Sequence, residues 1–145
     1  MSYGKTRLTD KYTSTFEDRP ASAAVRPGHL LVWTNGTSSV AERGTQATRY
    51  EVMVARENED FGEPSATQGQ YEVGDSVPFD IYRQGAIASM RVQVNTQVAD
   101  GAEVMSAPGG YVVTATDGND VVGRALQAVN ANAGSDEEIQ VLITR

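Results

Sequence analysis

The turns of this chain constrain its fold more than any other feature. From residue 25 onward, short apolar and polar alternations are separated by Gly, Asp, Asn or Pro at turn positions. "HLLVWT" (29–34) runs into Asn35-Gly36 and out through "TSSVA" (37–41), the strongest short-range hairpin signal a sequence offers. "RYEVMVAR" (49–56), "SVPFDIYR" (76–83) and "AIASMRVQVN" (86–95) follow, the last two joined at Gly85. "AEVMSA" (102–107), the turn "PGG", "YVVTATD" (111–117), "VVGRALQAV" (121–129) and "EEIQVLIT" (137–144) complete the series. No segment carries a 3.6-residue apolar stripe long enough for a major helix. "GRALQAVNANA" (123–133) comes nearest and reads as a strand leading into a loop. The pattern predicts an all-β domain of about eight short strands with at most one short helix. It should close, or nearly close, as a small β-barrel or β-sandwich, because closure hides strand edges.

The first 24 residues differ. "MSYGKTRLTDKYTSTFEDRPASAA" has no sustained period, few aliphatics and scattered aromatics. Such a segment buries too little apolar surface to offset its ordering entropy alone. The division expected is therefore an extended N-terminal arm over 1–24 and a β-rich domain over 25–145. An arm of this kind either frays as a terminus or orders on a neighbour as an added strand, with Tyr3, Leu8, Tyr12 and Phe16 as its anchors. Deleting residues 2–20 should then leave a folded domain. The polar stretch 57–70 reads as a mobile loop or a contact loop.

Composition removes several function classes. The chain has 145 residues, no cysteine and a formal net charge of -7. Disulfide frameworks, thiolate metal sites and cysteine nucleophiles are excluded. An acidic surface repels phosphate backbones, so no nucleic-acid partner is expected. No run approaches the roughly 18 apolar residues of a membrane span, and the N-terminus lacks an apolar signal region, so neither a membrane nor export is expected. Only Lys5 and Lys11 are lysine against ten arginines, a bias that suits planar contacts across interfaces.

Candidates for chemistry are few. His29 is the only histidine and Trp33 the only tryptophan, both inside "RPGHLLVW" (26–33). There Pro27 fixes a turn, Gly28 permits close approach, and His29 opens a strand, where its ring can satisfy a nearby backbone group. No GxSxG elbow presents a serine. The acidic groups Glu57, Glu59 and Asp60, Asp117 and Asp120, and Asp136, Glu137 and Glu138 fall in loops or strand ends, without the spacing of a calcium loop. "GKT" (4–6) lacks the glycine loop of a phosphate cradle. No catalytic, cofactor-binding or metal-binding residue is expected, and no cofactor.

The order of the short patterns carries further. "RPGHLLVW", "YEVMVARENEDFG", "YEVGDSVPFDIYRQG", "VADGAEVMSAPGGYVVTAT" and "VVGRALQAVNANAGSDEEIQVLIT" follow one another across residues 25–144. This succession resembles the head-decoration, or capsid cement, proteins of tailed phages and tailed archaeal viruses. The resemblance implies a β-tulip-type domain, with Pro27, Gly28, His29, Gly74, Asp75 and Gly123 as its turn and strand framework. It also implies a non-enzymatic virion protein, made in the host cytoplasm and placed on the outer capsid surface. The partners implied are the major capsid protein and two sister copies in a homotrimer at three-fold and quasi-three-fold positions, stabilising the expanded shell. Two other readings compete: a virion- or cell-surface β module that binds host glycans or receptors, and a small enzyme on a β-barrel.

Overall fold

The computed structural model describes residues 13–44, 51–57, 69–116, 121–131 and 137–144, and for 13–17 the backbone path alone. Among them twelve strands and no helix form. β1 (Thr13–Pro20), β5 (Ser76–Tyr82), β4 (Val52–Ala55), β2 (Leu30–Thr34) and β3 (Ser39–Glu42) lie side by side in that order, every pair antiparallel. A second unit is a closed barrel in the order β10 (Val121–Ala125), β12 (Glu137–Ile143), β6 (Ile87–Val92), β9 (Tyr111–Thr114) and β8 (Glu103–Ala107). Its pairs are antiparallel except β6 with β9, which run parallel at Val92 and Val112. A two-residue ribbon of β7 (Gln97–Val98) and β11 (Val129–Asn130) completes the strands.

Alternation explains how one chain serves two cores. Every residue of β4 is buried, so the strand points both ways. Val52 and Val54 join Leu30 and the barrel interior, whose other members include Met90, Val92, Val104, Val112, Ile139, Val141 and Ile143. Met53 and Ala55 join Leu31, Val40, Val77 and Phe79 on the opposite face of the sheet. That second core is covered by the chain leaving β1 and the chain entering β5. Ala21 bridges Val40, and Val25 bridges Tyr71. The two edges of the sheet therefore meet at one point, where Ser22 N donates to Val40 O at 2.9 Å. Trp33 closes the side of this core edge-on to Phe79 at 5.6 Å, beneath the Arg19 guanidinium at 5.9 Å.

The all-β expectation and the Asn35-Gly36 hairpin match the fold, with Thr34 opposite Ser39 across the turn. Two expectations are corrected. The extended arm of 1–24 does not hold from residue 13 onward. β1 pairs with β5 at seven positions, from Thr13 opposite Tyr82 to Pro20 opposite Ser76. β5 carries a row of backbone donors and acceptors on its outer edge, and β1 satisfies them. Phe16 accordingly sits in a sheet strand opposite Asp80, while Tyr3, Leu8 and Tyr12 lie outside the described residues. Deletion of 2–20 would strip this edge strand from the sheet. The second correction concerns strand number: β1, β7 and β11 add to the expected set, and "VVGRALQAV" breaks at 126–128 into β10 and β11. Of the 57–70 loop, residues 58–68 lie outside the described set.

Gly123 lies where two barrel strands approach closely. It pairs with Ile143 of β12 and, past an irregularity in register, with Val104 of β8. A Cβ there would overlap the Leu142 carbonyl oxygen and stand 2.7 Å from Val141 Cγ1. Main chain cannot retreat within a closed barrel, so Gly123→Ala is expected to lower stability by about 3 kcal/mol, read as a reduced denaturant midpoint with unchanged slope. Wild-type stability in that variant would show that the barrel yields there.

Candidate functional site

The seam between sheet and barrel gathers most of the polar groups that the fold buries. It begins at "RPGH". Pro27 is buried, and Gly28, with φ of 86°, donates its N–H to Ala55 O at 2.9 Å. His29 follows, 1% exposed, its carbonyl accepting from Ala55 N. The segment is thereby stitched to the end of β4 before β2 starts. Across the seam comes the β8–β9 hairpin, Pro108-Gly109-Gly110, whose flanks Ala107 and Tyr111 pair.

Gly110 is inserted between β2 and the residue after β3. Its carbonyl accepts from Leu30 N at 2.8 Å and its N–H donates to Arg43 O at 2.7 Å, while Arg43 N donates to Leu30 O at 2.8 Å. These three bonds form a closed ring of main-chain contacts. Only glycine fits: φ is 76°, and a Cβ would stand 2.7 Å from Leu30 O and 2.8 Å from His29 Cβ.

Side chains seal the same place. Arg26 forks onto Glu42, Nε to Oε2 at 2.8 Å and Nη2 to Oε1 at 2.9 Å, and its backbone N–H also donates to Oε2. Its remaining nitrogen donates to the Tyr111 hydroxyl at 2.9 Å, and Nη2 also reaches Gly109 O at 3.2 Å. Glu42 accepting these bonds raises the Arg26 pKa above the ordinary arginine value, against the opposing effect of burial. His29 Nδ1 lies 2.7 Å from Gly109 O. A carbonyl only accepts, so Nδ1 carries the proton and donates. The imidazole meets the Tyr111 ring edge-on at 4.6 Å and stands 3.7 Å from Glu42. Arg43, fully buried, donates Nη1 to Glu51 O at 2.8 Å, and Ser106 Oγ donates to Gly44 O at 3.0 Å.

The arrangement is a clamp. Both oxygens of Glu42 accept from Arg26, and His29, 1% exposed, uses Nδ1 to donate to a main-chain carbonyl. Among the described residues no group of three or more His, Asp or Glu could hold a metal ion. Of the framework residues read from sequence, the structure brings Pro27, Gly28 and His29 into this seam. Gly74 and Asp75 lie elsewhere, in the turn before β5. There the Asp75 carboxylate accepts from Glu72 N at 2.8 Å, and Gly74 N donates to Ala21 O at 2.8 Å. Gly123 belongs to the barrel wall.

Sequence reading missed Arg26, Glu42, Arg43, Gly109, Gly110 and Tyr111. "PGGY" was legible as a turn, but its partner is 80 residues away. The acid and base in "AERG" (41–44) carried no mark of burial.

The class this geometry defines is a small all-β protein in which a closed five-stranded barrel packs on a curled five-stranded sheet. No protein-family model matches the sequence, and no curated protein matches it. Among solved structures the fold is similar to the N base of head fiber gp8.5 of bacteriophage phi29, with a TM-score of 0.61. The match covers 90% of this chain and 93% of that one at 15% identity; what is shared is the fold.

Two predictions follow from the seam and its surroundings. Glu42→Gln should cost about 2 kcal/mol, since it leaves the half-buried Arg26 without its counter-charge. His29→Gln, which keeps a donor near Gly109 O, should cost less than His29→Ala. Wild-type stability of all three by denaturant unfolding would show that the clamp contributes nothing. Burial pushes the hydroxyls of Tyr71 and Tyr82 up to about 12, with nearby carboxylates adding to the effect. The unfolded value is about 10, so their contribution is complete below pH 10 and is lost as pH rises toward 12. Absorbance titration should show the two titrating later than an ordinary tyrosine, and Tyr82→Phe should flatten the alkaline loss of stability. Ordinary titration of both would refute this.

Proposed function

We propose that this chain is a structural protein of a virus head that binds the outer surface of the major capsid lattice. In this reading three copies sit at three-fold and quasi-three-fold positions, tie neighbouring capsid subunits together in the expanded shell, and catalyse nothing. The observation that carries it is the likeness, over nearly the whole of both chains, to the base of a phage head fiber. The clamp supports it too: the residues best suited to chemistry, His29 and Glu42, hold the fold together. The succession of turn and strand patterns along residues 25–144, which resembles cement proteins, points the same way. The competing glycan-binding reading calls for open aromatic faces. Among the described residues the exposed large hydrophobics are Val73, Ile87 and Leu126, all aliphatic.

The mechanism is mechanical. An interface of roughly 1,600 Å² supports tight binding when its anchors are good, although area alone does not set affinity. Three copies acting as one unit add avidity if all three engage together. Tyr3, Leu8 and Tyr12 belong to this proposal as capsid contacts, and a truncation that tests them should stop at residue 12 so that β1 is spared.

The test is mass determination by light scattering, then co-sedimentation with capsids that lack the protein. The expected result is three times the chain mass and saturable pelleting, with pelleting weakened when residues 2–12 are removed. A monomer that never pellets would overturn the reading and turn attention to glycan arrays.

A further inference from the structure

The barrel strands β6 and β9 pair only at Val92 and Val112, where Gln93 N donates to Val112 O at 3.2 Å. Ahead of that point no residue of β9 pairs with β6, and a cleft of about 300 Å³ opens between β6 and the end of β4. The neighbouring ladder sets which main-chain groups face it. Ile143 N donates to Ala86 O at 2.8 Å, so Ala86, Ala88 and Met90 turn their N–H and C=O groups toward β12. Ile87 and Ser89, between them, turn theirs the other way, and both residues line the cleft. Among the described residues no hydrogen bond reaches those groups. Val54 and Tyr82 give the same cleft an apolar wall.

We propose that this cleft receives the chain's own N-terminal segment, residues 1–12, as a short strand added to β6 at Ile87 and Ser89. Main-chain donors and acceptors spaced along a strand are matched by another extended main chain. The position of the segment points to the same occupant. The described chain starts at Thr13, which lies opposite Tyr82, and Tyr82 lines the cleft. Twelve residues therefore begin beside the site, and at about 3.3 Å per extended residue they reach well past it. Charge agrees as well. The segment carries Lys5, Arg7 and Lys11 against Asp10 alone, whereas the whole chain has a formal net charge of -7, so a basic segment meets an acidic domain. Each main-chain bond replaces water at a modest gain, and covering Val54 and Tyr82 adds an apolar contribution. An added strand keeps alternate side chains facing outward, which leaves part of the segment for contact with a capsid. The inference goes beyond the head-surface reading and does not depend on it.

The test uses the full chain in solution. Scalar coupling across hydrogen bonds, measured by NMR, should join the Ile87 or Ser89 nitrogen to a carbonyl carbon within residues 1–12. Amide exchange at both positions should be at least tenfold faster in a full-length variant carrying Thr6→Pro, Arg7→Pro, Thr9→Pro and Asp10→Pro, since proline cannot donate to a ladder. The Ala88 amide, turned toward β12, should exchange at the same rate in both proteins. Equal rates at Ile87 and Ser89 in the two proteins, or no coupling to the segment, would overturn the proposal. Protection that falls on dilution would give the cleft to the segment of a second copy and overturn it too. If protection appears only on capsids, the cleft belongs to the capsid partner, and this inference falls while the head-surface reading stands. If the wild type shows the coupling yet never pellets with capsids, that reading falls and this inference stands.

Discussion

The structure depends on the insertion of Gly110 between the start of β2 and the residue after β3. Three main-chain hydrogen bonds close there, among Leu30, Gly110 and Arg43, and they join the barrel's β8–β9 hairpin to the sheet. Apolar packing through Leu30, Val52 and Val54 and the side-chain bonds of Arg26, His29 and Ser106 join the same two units. Apolar packing is strong but poorly directional. The hydrogen bonds fix which residue meets which, and the lack of a Cβ at Gly110 allows the approach.

The buried polar groups around this point follow the same logic. A charge taken from water is tolerable only when paired and hydrogen-bonded. Arg26 and Glu42 meet that condition through a two-pronged contact, and Tyr111 and Gly109 take up two more of the arginine donors. His29 adds a donor to Gly109 O. The imidazole of this lone histidine also meets the Tyr111 ring edge-on. Polar contacts of this kind specify one arrangement more sharply than they stabilise it.

The strand edges of both units are guarded. The barrel closes on itself at Val92 and Val112. The five-stranded sheet protects its β1 edge with charge and proline in "FEDRP" (16–20), a common defence against unwanted pairing. Its two outer strands also meet through the bridge from Ala21 to Val40.

The sequence determined where the chain turns and which segments become strands. Its hairpin at Asn35-Gly36 and the alternation of "EEIQVLIT" follow from local backbone preference and period-two burial, which act over a few residues. β1 was not legible. "TSTFEDRP" lacks an apolar alternation because it borders the sheet, and its partner β5 begins more than 50 residues later. β7 and β11, of two residues each, are too short to leave a pattern. Tertiary structure alone decided that Gly85 carries the chain from sheet to barrel, and that Val52 and Met53 serve different cores. It alone brought Arg26, Glu42, His29 and the Gly109-Gly110 turn together. The physical reason is range: turn and strand preferences belong to neighbouring residues, whereas burial of a charge or a close approach at glycine exists only once distant segments have met.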